Sequence, residues 1–412
     1  MKQNKQGAYW VVWSKRCRQE LLGNVMPFWM KYGWDRKNGG VYTCVDRDGT
    51  LMDSTKSVWF QGRFGWMTAY AYNKLRVKSE ELRVCGGRFR QQRREWLAAS
   101  KSCCEFLEKH CFDRDGRAFF EVTAEGVGLR KRRYVFSECF AAMAYAEYAL
   151  ASGDKTWAKK AVELFKRIRK FVANPKRYMP AKYTPAVKTQ GHSLTMILIN
   201  VANVLKQVSD DPILDRQITE SVEALVKFFI HPEFKALLET VGPKGEFIDT
   251  LAGRTINPGH CIETAWFLLD VAVARKDEAL KETALKILDW SWAWGWDGKC
   301  GGGIISFRDC RNLPPQCYEQ DMKFWWPQCE AIIATAYAYK LTGDAKYLKW
   351  HKLASDWAWK HLKDRKFPEW YGYLHRDGTV AQPAKGNIFK GPFHIPRMLV
   401  KSMELCGEGM PA

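Results

Sequence analysis

One pattern constrains this fold more than any other: a helix that stops at glycine, meets an aspartate at once, and resumes as a second helix. It reads Tyr148-Ala149-Leu150-Ala151-Ser152-Gly153-Asp154, and again Ala338-Tyr339-Lys340-Leu341-Thr342-Gly343-Asp344. Glycine tolerates the left-handed conformation that ends a helix, and aspartate caps the backbone donors that open the next one. Apolar residues on both sides fall at helical spacing. Phe140, Met143, Ala144 and Tyr148 form a stripe within 137–150, and Trp157, Val162, Phe165 and Ile168 recur within 155–172. The second copy predicts helices over 330–341 and 345–359. A looser third copy predicts 264–274 and 279–292, joined by Arg275-Lys276-Asp277-Glu278.

Each such αα-hairpin covers its apolar face only by packing on a neighbour. A solenoid of hairpins leaves two exposed ends, whereas a closed toroid leaves none. The 412 residues hold roughly six hairpins of ordinary helix length. The expected fold is therefore all-α, a toroid of hairpins. Strand signals are few and short. Residues 40–43 and 50–52 flank Val45-Asp46-Arg47-Asp48-Gly49, and residues 371–374 and 379–381 flank His375-Arg376-Asp377-Gly378. Residues 121–123 and 303–307 read as further strands. These pieces are expected at one end of the helical barrel. No Pro/Gly/Ser-rich linker divides the chain, so 1–412 is read as a single domain.

A hydrophobic content of 46% and an aromatic content of 14% exclude a disordered chain. Nineteen tryptophans serve either as core filler or as walls for the apolar face of a sugar ring. The formal charge is +20. Its densest clusters, Arg88-Arg90-Arg93-Arg94 and Arg130-Lys131-Arg132-Arg133, match no nucleic-acid motif and read as solvated faces. Thirteen cysteines include no metal spacing and no CxxC pair, which points to a reducing cytoplasm. Neither a signal-peptide core nor an apolar run of membrane length is present. The expected partner is a small molecule, with neither nucleic acid nor membrane.

The chain has 8 histidines, and two sit in stiff frames. His260 lies in Asn257-Pro258-Gly259-His260-Cys261-Ile262-Glu263. Proline is tolerated in a first helical turn, so Asn257 reads as a cap and His260 as a first-turn residue. Glu263, three residues on, shares its helical face and is placed to orient the imidazole. The alternative is an ordinary helix-start histidine. His394 lies in Lys390-Gly391-Pro392-Phe393-His394-Ile395-Pro396-Arg397, where prolines fix the backbone; the alternative is a histidine in a tight turn. His192 reads as structural, and His110, His231, His351, His361 and His375 attract no chemical role. Trp325-Trp326-Pro327-Gln328-Cys329-Glu330 sets a carboxylate at a helix start, as a base partner or a cap. Trp59-Phe60-Gln61-Gly62-Arg63 offers an arginine for a developing oxyanion, or for an ion pair. Trp59, Gln61, Asn257, Trp326 and Gln328 are the expected sugar contacts. Gly301-Gly302-Gly303 lacks the lysine of a phosphate loop and reads as a turn.

These segments, in this order, resemble the N-acylglucosamine 2-epimerase family, also described as renin-binding proteins. The resemblance also takes in Gly39-Gly40-Val41-Tyr42 and Lys56-Ser57-Val58, and covers nearly the whole chain. It implies an (α/α)6 barrel and reversible inversion at C2 of an aldose, here N-acetylglucosamine to N-acetylmannosamine. It implies His260 and His394 as the two acid/base residues, Arg63 beside the enolate oxygen, and Glu263 and Glu330 as supporting carboxylates. No metal or redox cofactor is implied; ATP enters only as an effector that is not consumed, and a homodimer is expected. The related cellobiose 2-epimerases carry a histidine where Met196 stands here, which favours the acylglucosamine branch. Three rivals remain at this stage: another sugar 2-epimerase or aldose–ketose isomerase, a glycoside hydrolase using Glu263 and Glu330, and a non-catalytic binding protein.

Overall fold

The computed structural model describes residues 2–75, 86–182, 186–407 and 410. Gly153 and Gly343 end their helices with φ of 77° and 67°, in the left-handed region. Asp154 and Asp344 then accept hydrogen bonds from the backbone N–H of Thr156 and Lys346. In the third copy Lys276 takes the left-handed position (φ 55°) and Asp277 caps Leu280. The punctuation read in the sequence thus operates at all three hairpins.

Among the described residues, twelve helices of thirteen residues or more follow one another. They are α1 (Lys2–Glu20), α2 (Val58–Lys74), α3 (Gly86–His110), α4 (Phe136–Ser152), α5 (Lys155–Ala173) and α6 (His192–Leu205). There follow α7 (Pro212–Ala224), α8 (Pro258–Arg275), α9 (Glu278–Gly295), α10 (Trp325–Thr342), α11 (Ala345–His361) and α12 (His394–Gly407). The even-numbered helices touch in sequence, α2 to α4, α6, α8, α10 and α12, and α12 returns to α2. The odd-numbered helices pack outside this ring: α3, α5, α7, α9 and α11 each against the inner helix before it, α1 against α12, and α3 and α5 also against the next inner helix. The result is a closed (α/α)6 barrel.

Burial follows this topology. Every residue of α4 from Ser137 to Ala149 is buried, as an inner-ring helix covered on all sides requires. Its outer partner α5 buries one face only, through Ala161, Val162, Leu164, Phe165, Ile168 and Phe171. The helix for which the sequence predicts a single stripe over 137–150 is therefore buried on every face.

Two-residue strands lead into four of the inner helices. Lys56–Ser57 precedes α2 and pairs antiparallel with Glu121–Val122, which pairs with Gly128–Arg130. Lys323–Phe324 precedes α10 and pairs with Tyr373–Leu374, which pairs with Val380–Gln382. Gln190–Gly191 leads into α6 against Thr240–Val241, and Thr255–Ile256 into α8 against Arg308–Asp309. The expected hairpin at 40–52 is reduced to isolated bridges, Trp34 to Val41 and Val45 to Leu51. The expected strand at 303–307 is likewise a single bridge at Ile304, with the paired residues displaced to Arg308–Asp309. These links tie the mouth loops to the N-terminal ends of the inner helices.

Candidate active site

A cavity of about 310 Å³ opens at those N-terminal ends. All six inner helices contribute to it. Trp59 and Arg63 come from α2, Phe136 and Phe140 from α4, Met196 and Asn200 from α6, and His260 and Glu263 from α8. Trp326 comes from α10, and His394 and Arg397 from α12. Six helix N-termini aimed at one space give it a positive field that favours a developing anion.

His260 sits in the first turn of α8, held by Asn257. The Asn257 Oδ1 accepts the His260 backbone N–H at 3.2 Å, and its amide nitrogen lies 3.1 Å from His260 Nδ1. Nδ1 also faces both carboxylate oxygens of Glu239, at 3.0 and 3.1 Å. Burial opposes charge on this imidazole, but the Glu239 carboxylate outweighs it and holds the proton affinity above the ordinary histidine value. Glu239 answers in kind: burial acts against its charge, yet His260 and His192 keep it far below the usual carboxylate range.

His394 opens α12. Its Nδ1 lies 2.8 Å from Glu330 Oε1. That same oxygen accepts from Arg397 Nη2 at 2.6 Å, and Glu330 Oε2 accepts the Trp266 indole N–H at 2.9 Å. Glu330 is acceptor to every neighbour, so Nδ1 carries the proton and Nε2 is left as a lone pair. Burial, then the positive charges of Arg397 and Arg63, pull the His394 proton affinity well below the ordinary value. The two imidazoles are thus biased in opposite senses. They flank one indole: the Trp326 ring centre lies 5.1 Å from that of His260 and 5.9 Å from that of His394.

Arg63 is half-buried among rings, its guanidinium carbon 4.1 Å from the Phe140 ring centre and 4.7 Å from that of Phe393. Its Nε has no hydrogen-bond partner among the described residues. Burial, partly offset by Glu263, draws its pKa down to about 9. An arginine so placed keeps donors in reserve for a charge that forms only during reaction.

Several expected assignments change. Glu263 does not orient His260; its Oε1 accepts from Arg397 Nη2 at 2.6 Å, and Glu239 takes the histidine instead. Gln61 and Gln328 are not among the cavity's lining residues. The Gln61 side chain accepts the Val41 N–H and donates to the carbonyls of Val41 and Ser57. Gln328 repeats this on Ile304 and Phe324. Each amide acts as a substitute strand for a mouth loop, and its polar atoms are spent on backbone. Asn257 positions His260 and is not among the cavity's lining residues, whereas Trp59 and Trp326 line the cavity. Glu330 stands behind His394 as its partner. The reading of Gly301-Gly302-Gly303 as a turn matches three positive φ angles of 76°, 92° and 85°.

Sequence reasoning missed two groups. Glu239 carries no local signal: its carbonyl accepts the His192 N–H at the start of α6 and its own N–H donates to the Thr255 carbonyl just before α8, contacts that only the fold creates. Arg397 does carry one: it follows His394 by one helical turn, the same spacing that drew attention to Glu263. Burial again opposes its charge, but Glu330 and Glu263 hold its proton more firmly than usual. Two groups of side chains lie close enough to share a metal ion, His192 with Glu239 and His260, and Glu263 with Glu330 and His394. The second is already filled by the Arg397 guanidinium. The basic clusters are used in surface pairing: Arg93 donates to the Tyr72 carbonyl, Arg130 pairs with Glu121, and Lys131 with Asp113 and Asp115. The side chain of Arg88 lies outside the described residues.

A family model described as N-acylglucosamine 2-epimerase (GlcNAc 2-epimerase) matches residues 86–392. The chain is 32% identical to the N-acylglucosamine 2-epimerase of Bos taurus over 398 residues, 95% of this chain and 91% of that protein. It is 25% identical to a cellobiose 2-epimerase of Ruminococcus albus over 410 residues, 93% and 96% of the two chains. The solved cellobiose 2-epimerase of Bacillus thermoamylovorans B4167 superposes with a TM-score of 0.81 at 20% identity, covering 95% of this chain and 99% of that one.

Proposed function

The chain belongs to the N-acylglucosamine 2-epimerase family, and on that premise we propose that it interconverts N-acetylglucosamine and N-acetylmannosamine by two-base proton transfer at C2. One observation carries the proposal: two imidazoles of opposite protonation bias line one cavity and flank one indole.

The C2 proton becomes acidic only when C1 is a carbonyl, so the reacting form is the open-chain sugar. The lone pair on His394 Nε2 takes the C2 proton from one face. Charge moves to O1 of the resulting enolate, where the unpaired donors of Arg63 and the inner helix N-termini meet it. His260, held protonated by Glu239, returns a proton to the opposite face. In the reverse direction the two histidines exchange roles. Imidazole suits both, its unperturbed pKa of about 6.5 lying near working pH. Glu330 keeps Nε2 of His394 free, and Arg397 keeps Glu330 from making His394 too basic. Met196, Phe140 and Phe393 add an apolar wall.

Incubation in heavy water tests this directly. Product epimer should carry one deuterium at C2; product formed without label would exclude the route. Three companion readings belong with the proposal. The +20 charge is compatible with ATP as an unconsumed effector, read by rates with and without nucleotide. A homodimer is read by light scattering. A cytoplasmic location agrees with the twelve described cysteines being free thiols, and with no helix of the described residues being long and apolar enough to cross a membrane.

A further inference from the structure

His192 is fully buried, and its ring is only half used. Nε2 lies 2.8 Å from the Thr264 hydroxyl. Nδ1 has no hydrogen-bond partner among the described residues and points at Glu239, 3.7 Å from Oε2. The Thr264 hydroxyl can accept from or donate to Nε2, so Nδ1 can turn either an N–H or a lone pair toward the carboxylate, across a gap too long for a good hydrogen bond. The same Oε2 lies 3.0 Å from His260 Nδ1. One ligand atom from each of the three side chains falls within 4.8 Å of the others.

That spacing leaves room for a cation among the three groups, and His192 gains a partner if one enters. Zinc binds imidazole nitrogen and carboxylate oxygen at about 2.0–2.2 Å in a tetrahedron, which sets neighbouring ligand atoms about 3.4 Å apart. The two measured separations to Glu239 bracket that figure. Two imidazoles and one carboxylate favour zinc and its borderline neighbours over magnesium or calcium. A fourth position remains for water, as in an open three-ligand site.

We propose that His192, Glu239 and His260 form an inhibitory site for zinc-class divalent cations. Coordination uses the Nδ1 lone pair of His260, so the imidazolium releases its Nδ1 proton to solvent as the metal enters. His260 is left with metal on Nδ1 and hydrogen on Nε2. It then has no lone pair toward the cavity to act as a base and no imidazolium proton to give as an acid. Glu239 is drawn from orienting the histidine to holding the metal. The inhibitory consequence rests on the acid/base role of His260; metal binding does not, so the two are read separately.

The test uses the full chain, stripped with chelator and desalted, and zinc chloride alone as the probe. Epimerase rate is followed against buffered free zinc, and stoichiometry is followed by the visible spectrum on titration with cobalt(II). The expected result is one equivalent bound, loss of activity reversed by chelator, and no effect of magnesium. His192→Gln, each rate taken relative to that variant's own zinc-free rate, should raise the half-inhibiting zinc concentration roughly tenfold or more. X-ray absorption of the zinc-loaded wild type should show nitrogen and oxygen neighbours and no sulfur, a readout that stands even if the variant fails to fold. Absence of stoichiometric binding, sulfur in the first shell, or equal inhibition of wild type and His192→Gln would each overturn the proposal.

Discussion

Gly259 is the residue on which the spacing of the two imidazoles most depends. It is the second residue of α8, immediately before His260, and Trp326 packs against its missing side chain. A Cβ at position 259 would lie 2.4 Å from Trp326 Cη2, 2.5 Å from Cζ3 and 3.0 Å from Pro327 Cγ. Ordinary carbon contacts fall at about 3.5–4.0 Å, so in Gly259→Ala the indole must retreat by roughly 1 Å. The indole packs near both His260 and His394, so its retreat alters the cavity wall that the two imidazoles share. A misplacement of about 1 Å can cost about a hundredfold in rate, which corresponds to about 2.7 kcal/mol in barrier height. Fold stability should change less. Overpacking costs about 1–3 kcal/mol, and alanine offsets up to about 1 kcal/mol of this through its better helix propensity. The assay is kcat by product analysis alongside a thermal melt, for Gly259→Ala, Trp326→Phe and the double variant. The reasoning requires a large fall in kcat for Gly259→Ala and strong coupling, with the double variant little worse than Trp326→Phe alone. A Gly259→Ala enzyme within about twofold of wild type, or losses that simply multiply, would refute it.

Three further outcomes are expected. Catalysis needs His394 neutral and His260 protonated, so kcat/KM should fall at acid pH as His394, held below the ordinary histidine value, gains a proton, and at alkaline pH as His260, held above it, loses one; Glu239→Gln should move the alkaline limb to lower pH and leave the acid limb in place. Arg397→Met should move the acid limb to higher pH, because His394 loses its nearest positive neighbour, and should destabilise the fold by about 3–5 kcal/mol in denaturant titration, because buried Glu263 and Glu330 lose their shared partner. Gln61→Ala and Gln328→Ala should each lower stability by about 1–3 kcal/mol through unsatisfied loop amides, with KM for sugar nearly unchanged in steady-state assays; a raised KM at wild-type stability would restore them as sugar ligands.

How much of this was legible in the chain depended on how far each signal had to reach. Gly153 with Asp154, and Gly343 with Asp344, act on backbone groups within a few residues, so the hairpins could be read locally. The framed histidines were legible for the same reason: proline, glycine and an asparagine cap fix His260 from its own segment. Partners were not. Glu263 shares a helical face with His260 and looked like its carboxylate, yet Arg397 of α12 reaches Glu263 first, and Glu239 arrives from a loop of another hairpin. Gln61 and Gln328 sit beside aromatic residues and resembled sugar ligands. Only the fold reveals that Val41 and Ile304 bring backbone groups that need pairing.

The account turns on two bases addressing one carbon from opposite faces, and single-histidine variants in heavy water test it most directly. His260→Asn keeps His394 and should still wash deuterium into C2 of one epimer while forming none of the other; His394→Asn should do the same for the opposite epimer. A variant lacking either imidazole that continues to interconvert the two epimers would contradict it.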